Sequence, residues 1–284
     1  MTRNMPSPTL AQRLPAMNWP GKLGLAILML WLITALVGPS LMQQDGTDMG
    51  EAAVFAASSA EHWLGTDYLG RDMLARIIQG ARYTVGIALL ATILASGIGT
   101  TLALLATASQ PWIDASLSRG IDTLTSVPSK MLALILVAAF GSSLPMLIAT
   151  AALIYIPGAF RIARSLAVNI NAMDYVTVAR TRGEGRWYIM LHEILPNIIN
   201  PMLADLGLRF VYVVLLLASL SFLGLGVQPP DADWGSLVRE NIGALPSAGA
   251  AIVAPALAIA SLTIAVNLLI DNLPGRAARE GGVH

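Results

Sequence analysis

The sequence contains no cysteine, only three histidines and few charges. The lack of cysteine removes disulfides, thiol catalysis and thiolate metal sites. His62, His192 and His284 lie far apart, so no metal-type histidine spacing exists. Charged residues make up 12% of the 284 positions, against roughly 25% in a soluble domain. That is too little to dress a water-facing surface, which excludes an ordinary soluble enzyme. Neither sign is in excess, with 17 Lys and Arg against 17 Asp and Glu. No overall basic field exists to attract nucleic acid. No Gly-x4-Gly-Lys-Ser/Thr loop is present, so the chain lacks that device for holding ATP. What is plentiful is apolar. Hydrophobic residues reach 55%, which also excludes disorder. The composition is that of an integral membrane protein.

A helix needs about 20 mostly apolar residues to cross a hydrocarbon core of about 30 Å. Six runs qualify, at roughly 23–42, 84–107, 123–141, 144–160, 203–226 and 249–270. The third is the weakest, because Pro128 and Lys130 fall in its first turns. The first exceeds the about 7–15 residues of a signal h-region, and no Ala-x-Ala site follows it, so it reads as retained. The expected fold is an all-α integral membrane protein with six transmembrane helices. Its parts are a cytosolic segment 1–22, a first transmembrane helix 23–42 and an outside loop 43–81 carrying an amphipathic helix. A transmembrane core 82–271 holds a cytosolic loop 161–201, and a cytosolic tail 272–284 follows. With the N-terminus inside, eleven Lys and Arg fall in inside segments and four outside. That asymmetry fits the positive-inside rule and returns the C-terminus to the cytosol.

Three loops are richer than plain connectors. In the first, Leu69, Met73, Leu74, Ile77 and Ile78 share a helical face, with Thr66 or Asp67 as cap and Gly80 as stop. It reads either as an interfacial helix or as an element packed on the pore or a docking partner. In the second, Pro229 and Pro230 break any helix, and Trp234 suits a headgroup interface. The third is the long inside loop. Residues 175–182 predict a short helix stopped by Gly183 and Gly185, and residues 187–195 a second one halted by Pro196. A topology anchor needs only charges. Two helices around a glycine turn make a rigid shape that suits a protein partner. Within the fifth span, Asp205 and Arg209 are four apart and share a face. The cost of a lone charge in hydrocarbon favours a local ion pair, the alternative being a pore-lining pair that a polar substrate meets.

The third loop resembles the coupling loop of bacterial ABC-importer permeases, whose pattern is Glu-Ala-Ala, three residues, Gly, then a stretch ending near Ile-x-Leu-Pro. Gly183, Leu195 and Pro196 keep that spacing, and Ala179 fills the last Ala. Thr177 and Val178 replace the Glu and first Ala, and Ile194 adjoins Leu195 directly, a variant similar to the dipeptide, oligopeptide and nickel branch. Leu64, Gly65, Thr66 and Asp67 with Gly70, Arg71 and Asp72 resemble the outside motif of that branch's second permease subunit. The stretch 220–226 with Pro229, Pro230, Asp233, Trp234 and Gly235 resembles its end of span five, and Asp271 with Leu273 its end of span six. Pro274, Gly275 and Arg276 depart from that last pattern. The resemblance covers roughly 60–280.

The resemblance implies a type I ABC-importer permease in a bacterial inner membrane, without catalytic residues of its own. It implies a second homologous permease chain, two ATPase subunits that carry ATP and magnesium, and a periplasmic or lipoprotein solute-binding protein. Lipid surrounds the chain, and no cofactor or nucleic acid is bound by it. The solute is a peptide or similar small polar molecule. Coupling to the ATPases falls on Thr177, Ala179, Arg180, Arg182, Gly183, Glu184, Leu195 and Pro196. The rival reading, a secondary active transporter, calls for paired discontinuous helices and midplane charges, and no convincing midplane charge stands out. An intramembrane serine protease calls for a histidine within a span, and none lies there.

Overall fold

The computed structural model describes residues 18–41, 52–245 and 249–272, and helices dominate among them, with no strand. In chain order they are α1 (Trp19–Leu41), α2 (Met73–Ala108), α3 (Pro111–Thr125), α4 (Ser129–Phe140) and α5 (Leu144–Asn171). There follow α6 (Asp174–Thr181), α7 (Arg186–Tyr188), α8 (Leu195–Phe222), α9 (Trp234–Glu240) and α10 (Ala250–Asp271). Five are long and apolar enough to cross a membrane, and α3 with α4, bent by 80°, forms either a broken sixth span or a re-entrant pair.

The amphipathic stretch and the second span form one helix rather than two. Asp72 caps α2 by accepting from the amide of Ala75 at 2.9 Å. The 36 residues of α2 then run on without a break, about 54 Å at 1.5 Å per residue. Gly80 does not stop it. The missing Cβ lets α2 approach the loop before α9, where a Cβ would meet Ala232 O and Trp234 Cδ1 at 3.2 Å. The expected third span is broken instead of straight. Pro128 offers no amide and disfavours helix at Val127, so α3 and α4 meet at an angle. Residues 110–122, which the sequence offers as a plain turn between the second and third spans, are mostly α3.

The bundle centres on α2 and α5, the most extensive helix pair. Ala88, Ala91, Ala95 and Ala103 of α2 and Ala151, Ala159, Ala163 and Ala167 of α5 are all fully buried. Small residues let helix backbones close in where lipid gives no hydrophobic drive. The closest approach is at Gly99, where a Cβ would lie 2.6 Å from Ala159 Cβ and 2.8 Å from Ile156 O. Gly86 and Gly97 face open space.

At the α9 end, Trp234 is fully buried and not a headgroup anchor. Its indole donates to Ile77 O at 2.9 Å, its amide to Thr84 Oγ1 at 3.0 Å, and its ring stands edge-on to Trp31. Trp31 in turn donates to Ser261 Oγ of α10 at 2.9 Å. Asp233 starts α9 through a capping box with Ser236. Two buried apolar clusters form, one around Met73, Trp234 and Leu262, the other around Phe160, Met190 and Ile194.

Candidate functional site: the α6 projection

The segment read as a 40-residue loop is mostly helix. α5 runs on to Asn171, and α6 starts three residues later. Val176 and Ala179, one turn apart, are buried against the core formed with Ile189, Met190 and Ile194. Tyr175, Thr177, Val178, Thr181 and Arg182 are exposed. Asp174 in the first turn and Arg180 in the last suit the helix dipole.

α6 ends in a Schellman motif. The Glu184 amide donates to Ala179 O at 3.2 Å and the Gly183 amide to Arg180 O at 3.0 Å. Gly183 has φ +86°, left-handed, and a Cβ there would meet nothing within 4 Å. Gly183 is the residue that the turn requires; Gly185, at φ −76°, needs no such freedom.

The second helix does not halt at Pro196. The chain is helical from Arg186 to Phe222. Pro196 has no amide, and its ring crowds the carbonyl four residues back. The helix absorbs this with a π turn over Ile189–Ile194, in which the Leu195 amide reaches Met190 O, five residues back. Tyr188 and His192 stack alongside it, ring centroids 4.7 Å apart.

Polar side chains tie α6 to its neighbours. Arg180 Nη2 donates to Asn171 Oδ1 at 2.7 Å, and Asn171 Nδ2 donates to Thr107 O near the end of α2 at 3.1 Å. Asn197 Nδ2 donates to Tyr175 Oη at 3.2 Å and to Glu193 O at 2.7 Å. Of the residues singled out for coupling, Thr177, Arg182, Gly183 and Pro196 are exposed, Glu184 and Leu195 half-buried, and Ala179 buried. Arg180 is held by Asn171, and Arg182 lies 3.9 Å from Glu184. Sequence reasoning passed over Asn171 and Asn197, whose signal was only their place next to the ends of predicted helices.

Asp205 and Arg209 form an ion pair at 2.5 Å, both buried. Arg209 Nη1 also donates to Tyr155 O of α5 at 2.8 Å and occupies the space beside Gly158. The pair sits in the α5–α8 interface.

The other end of the bundle carries a second polar cluster. Asp67 accepts from Arg71 Nε at 2.7 Å and from the amides of Leu69 and Arg71. Arg76 donates to Pro230 O at 3.0 Å and lies 3.5 Å from Glu240. Asn241 accepts from the Tyr68 amide at 3.1 Å. Burial pushes the Glu240 carboxyl above its usual range, opposed by Arg76 and Arg71. The motif at 64–72 thus locks the first loop to α9. Among the described residues no cluster of three metal-ligating side chains occurs.

Residues 95–279 match the sequence profile of the binding-protein-dependent transport system inner membrane component. The chain is 32% identical to the dipeptide transport system permease protein DppC of Alkalihalophilus pseudofirmus over 250 residues, 88% of this chain and 82% of that one. It is 35% identical to the glutathione transport system permease protein GsiD of Pectobacterium atrosepticum over 215 residues, 76% of this chain and 71% of that one. The di/tripeptide transport system permease protein DppC of Pseudomonas aeruginosa is 32% identical over 256 residues, 88% of this chain and 84% of that one. A chain of the MetNI methionine ABC transporter, solved in an inward-facing form, has the same fold. It superposes with a TM-score of 0.58 at 14% identity over 73% of this chain and 97% of that one. With the profile matching well over half its length, the chain belongs to the family of binding-protein-dependent transport inner membrane components.

Proposed function

We propose that this chain is the ABC-importer permease subunit that forms, with a second homologous permease chain, the path for a peptide or similar small polar solute. A solute-binding protein delivers the solute, and two ATPase subunits, which carry ATP and magnesium, dock on the α6 projection. Relatives about a third identical, named for dipeptide, di/tripeptide and glutathione transport, support the solute class. The observation that carries the coupling role is the shape of α6. Val176 and Ala179 anchor it to the core, and Gly183 closes it with a fixed turn. Tyr175, Val178, Trp187 and Leu191 nevertheless leave large apolar surface in the open. Exposed apolar surface beside a rigid helix marks a protein interface. In this reading Thr177, Arg182 and Gly183 face the ATPase, Arg180 and Glu184 hold the turn, and Leu195 and Pro196 set the start of α8. The N- and C-termini are cytosolic, on the side of α6. Arg209, held by Asp205, fastens α8 to α5, and neither residue lines the pore.

Co-reconstitution tests this. The chain alone in vesicles is expected to give neither ATP hydrolysis nor uptake. With a partner permease, ATPases and binding protein, it is expected to give ATP-dependent uptake. Uptake by the chain alone, driven by an ion gradient, would overturn the reading in favour of a secondary transporter.

A further inference from the structure

We infer that Asn171 and Asn197 are positioning residues that convey displacement of α6 to the spanning helices, Asn171 to α5 and α2, and Asn197 to α8. The inference rests on the coupling role proposed for α6. Its motive is geometric. α6 spans only eight residues and touches the bundle through two buried side chains, Val176 and Ala179. An apolar contact resists compression but is free to slide. Directional hydrogen bonds resist pulling as well.

Each asparagine links the helix that carries it to α6. Asn171 is the last residue of α5. Its Oδ1 accepts from Arg180 on α6 at 2.7 Å, while its Nδ2 donates to Thr107 O near the end of α2 at 3.1 Å. One side chain therefore joins three helices, and two of them, α2 and α5, are already locked along the alanine seam. Asn197 sits in the first turn of α8, just past the π turn. Its Nδ2 donates to Glu193 O at 2.7 Å within that turn and to Tyr175 Oη on α6 at 3.2 Å. It bridges the coupling helix to the one part of the α8 helix whose backbone departs from α geometry. Such π turns often mark functional positions. Movement of α6 then has two routes, a stiff one through Asn171 into the α2–α5 pair and a compliant one through Asn197 and the π turn into α8.

The test uses the assembled importer in proteoliposomes and reads three quantities, namely ATPase association, ATP hydrolysis stimulated by loaded binding protein, and solute taken up per ATP. Asn171→Ala and Asn197→Ala are expected to assemble with ATPases and melt as the parent does. Their uptake per ATP should fall at least about fivefold, the lower end of usual coupling effects. Arg180→Lys, which keeps a donor, should retain most of the coupling at Asn171, and Tyr175→Phe, which loses only the hydroxyl, should reproduce Asn197→Ala. The double variant Asn171→Ala with Arg180→Ala should be no worse than Arg180→Ala alone. Parent-like uptake per ATP in both alanine variants would overturn the inference. So would a fall in melting temperature that accounts for the loss, because the residues would then be merely structural. Failure of the parent chain to bind ATPases at all would instead overturn the coupling role of α6 itself.

Discussion

Gly183 gives the sharpest test of the α6 projection, because its geometry separates two explanations that usually travel together. Its φ of +86° is left-handed, which costs an L-residue roughly 1–2 kcal/mol. A Cβ at this position meets nothing of the chain within 4 Å, so no internal clash adds to that. If the penalty falls on the docking-competent turn, Gly183→Ala lowers its population by about 5- to 30-fold. Asn tolerates this region far better than Ala. Backbone conformation alone therefore predicts that Gly183→Asn is milder than Gly183→Ala, against the order of size. A close-fitting ATPase groove predicts the reverse, with Asn and Asp both worse than Ala. Gly183→Asp against Gly183→Asn then isolates charge. The assay is affinity for the ATPase subunits together with ATP-driven uptake, at equal membrane abundance. Gly120→Ala, in α3 where the added Cβ is also in open space, serves as the control and should change neither. Parent-like affinity and uptake in all three Gly183 variants would refute the reasoning.

Gly99→Leu should sharply lower folded abundance and melting temperature in detergent, because even its Cβ would press within 2.6 Å of Ala159 Cβ, whereas Gly97→Ala, facing open space, should be silent. Asp205→Ala strands the buried Arg209 guanidinium and should cost about 3–5 kcal/mol, read as a loss of thermal stability. Adding Arg209→Met should recover most of it, and no recovery would count against the closed-pair geometry. Since the chain has no cysteine, single-cysteine labelling reads topology cleanly. Ser58→Cys should react with an impermeant thiol reagent added outside intact cells and Arg182→Cys should not; the opposite pattern would invert the proposed orientation.

The spans were legible because long apolar runs admit one solution in lipid. Interruptions were not, because their meaning depends on distant partners. Gly80 carries a local stop signal, yet Ala232 and Trp234, some 150 residues on, turn it into a contact point inside α2. Trp234 sits among Asp, Pro and Gly like an interfacial anchor, and only Ile77, Thr84 and Trp31 reveal why it is buried. Pro196 looks like a terminator, but one extra residue per turn accommodates it. Pro128, by contrast, does break the helix where the sequence is weakest. At the α6 site the turn residue Gly183 was readable, because only a few residue types tolerate a left-handed backbone. The tethers at Asn171 and Asn197 were not, since each depends on a partner in another helix.

The placement of polar contacts has a mechanical consequence. They concentrate at the two ends of the bundle, with Asp67, Arg71, Arg76 and Glu240 at one and Asn171, Arg180, Tyr175 and Asn197 at the other. Between them the α2–α5 contact is a seam of alanine and glycine. Polar contacts within the spans include Trp31 with Ser261, Tyr155 Oη with Tyr212 O, and Arg209, held by Asp205 on α8, with Tyr155 O of α5. Parting α5 from α8 would leave that ion pair intact on α8 but strip the Arg209 guanidinium of its α5 carbonyl, at a cost of about 1.5–3 kcal/mol for a hydrogen bond to a charged group. A transport cycle that repeats on every ATP is poorly served by such a barrier. The Arg209 bond to Tyr155 O therefore favours α5 and α8 moving together, with rearrangement where contacts are apolar or where the backbone, as in the π turn, already departs from a regular helix.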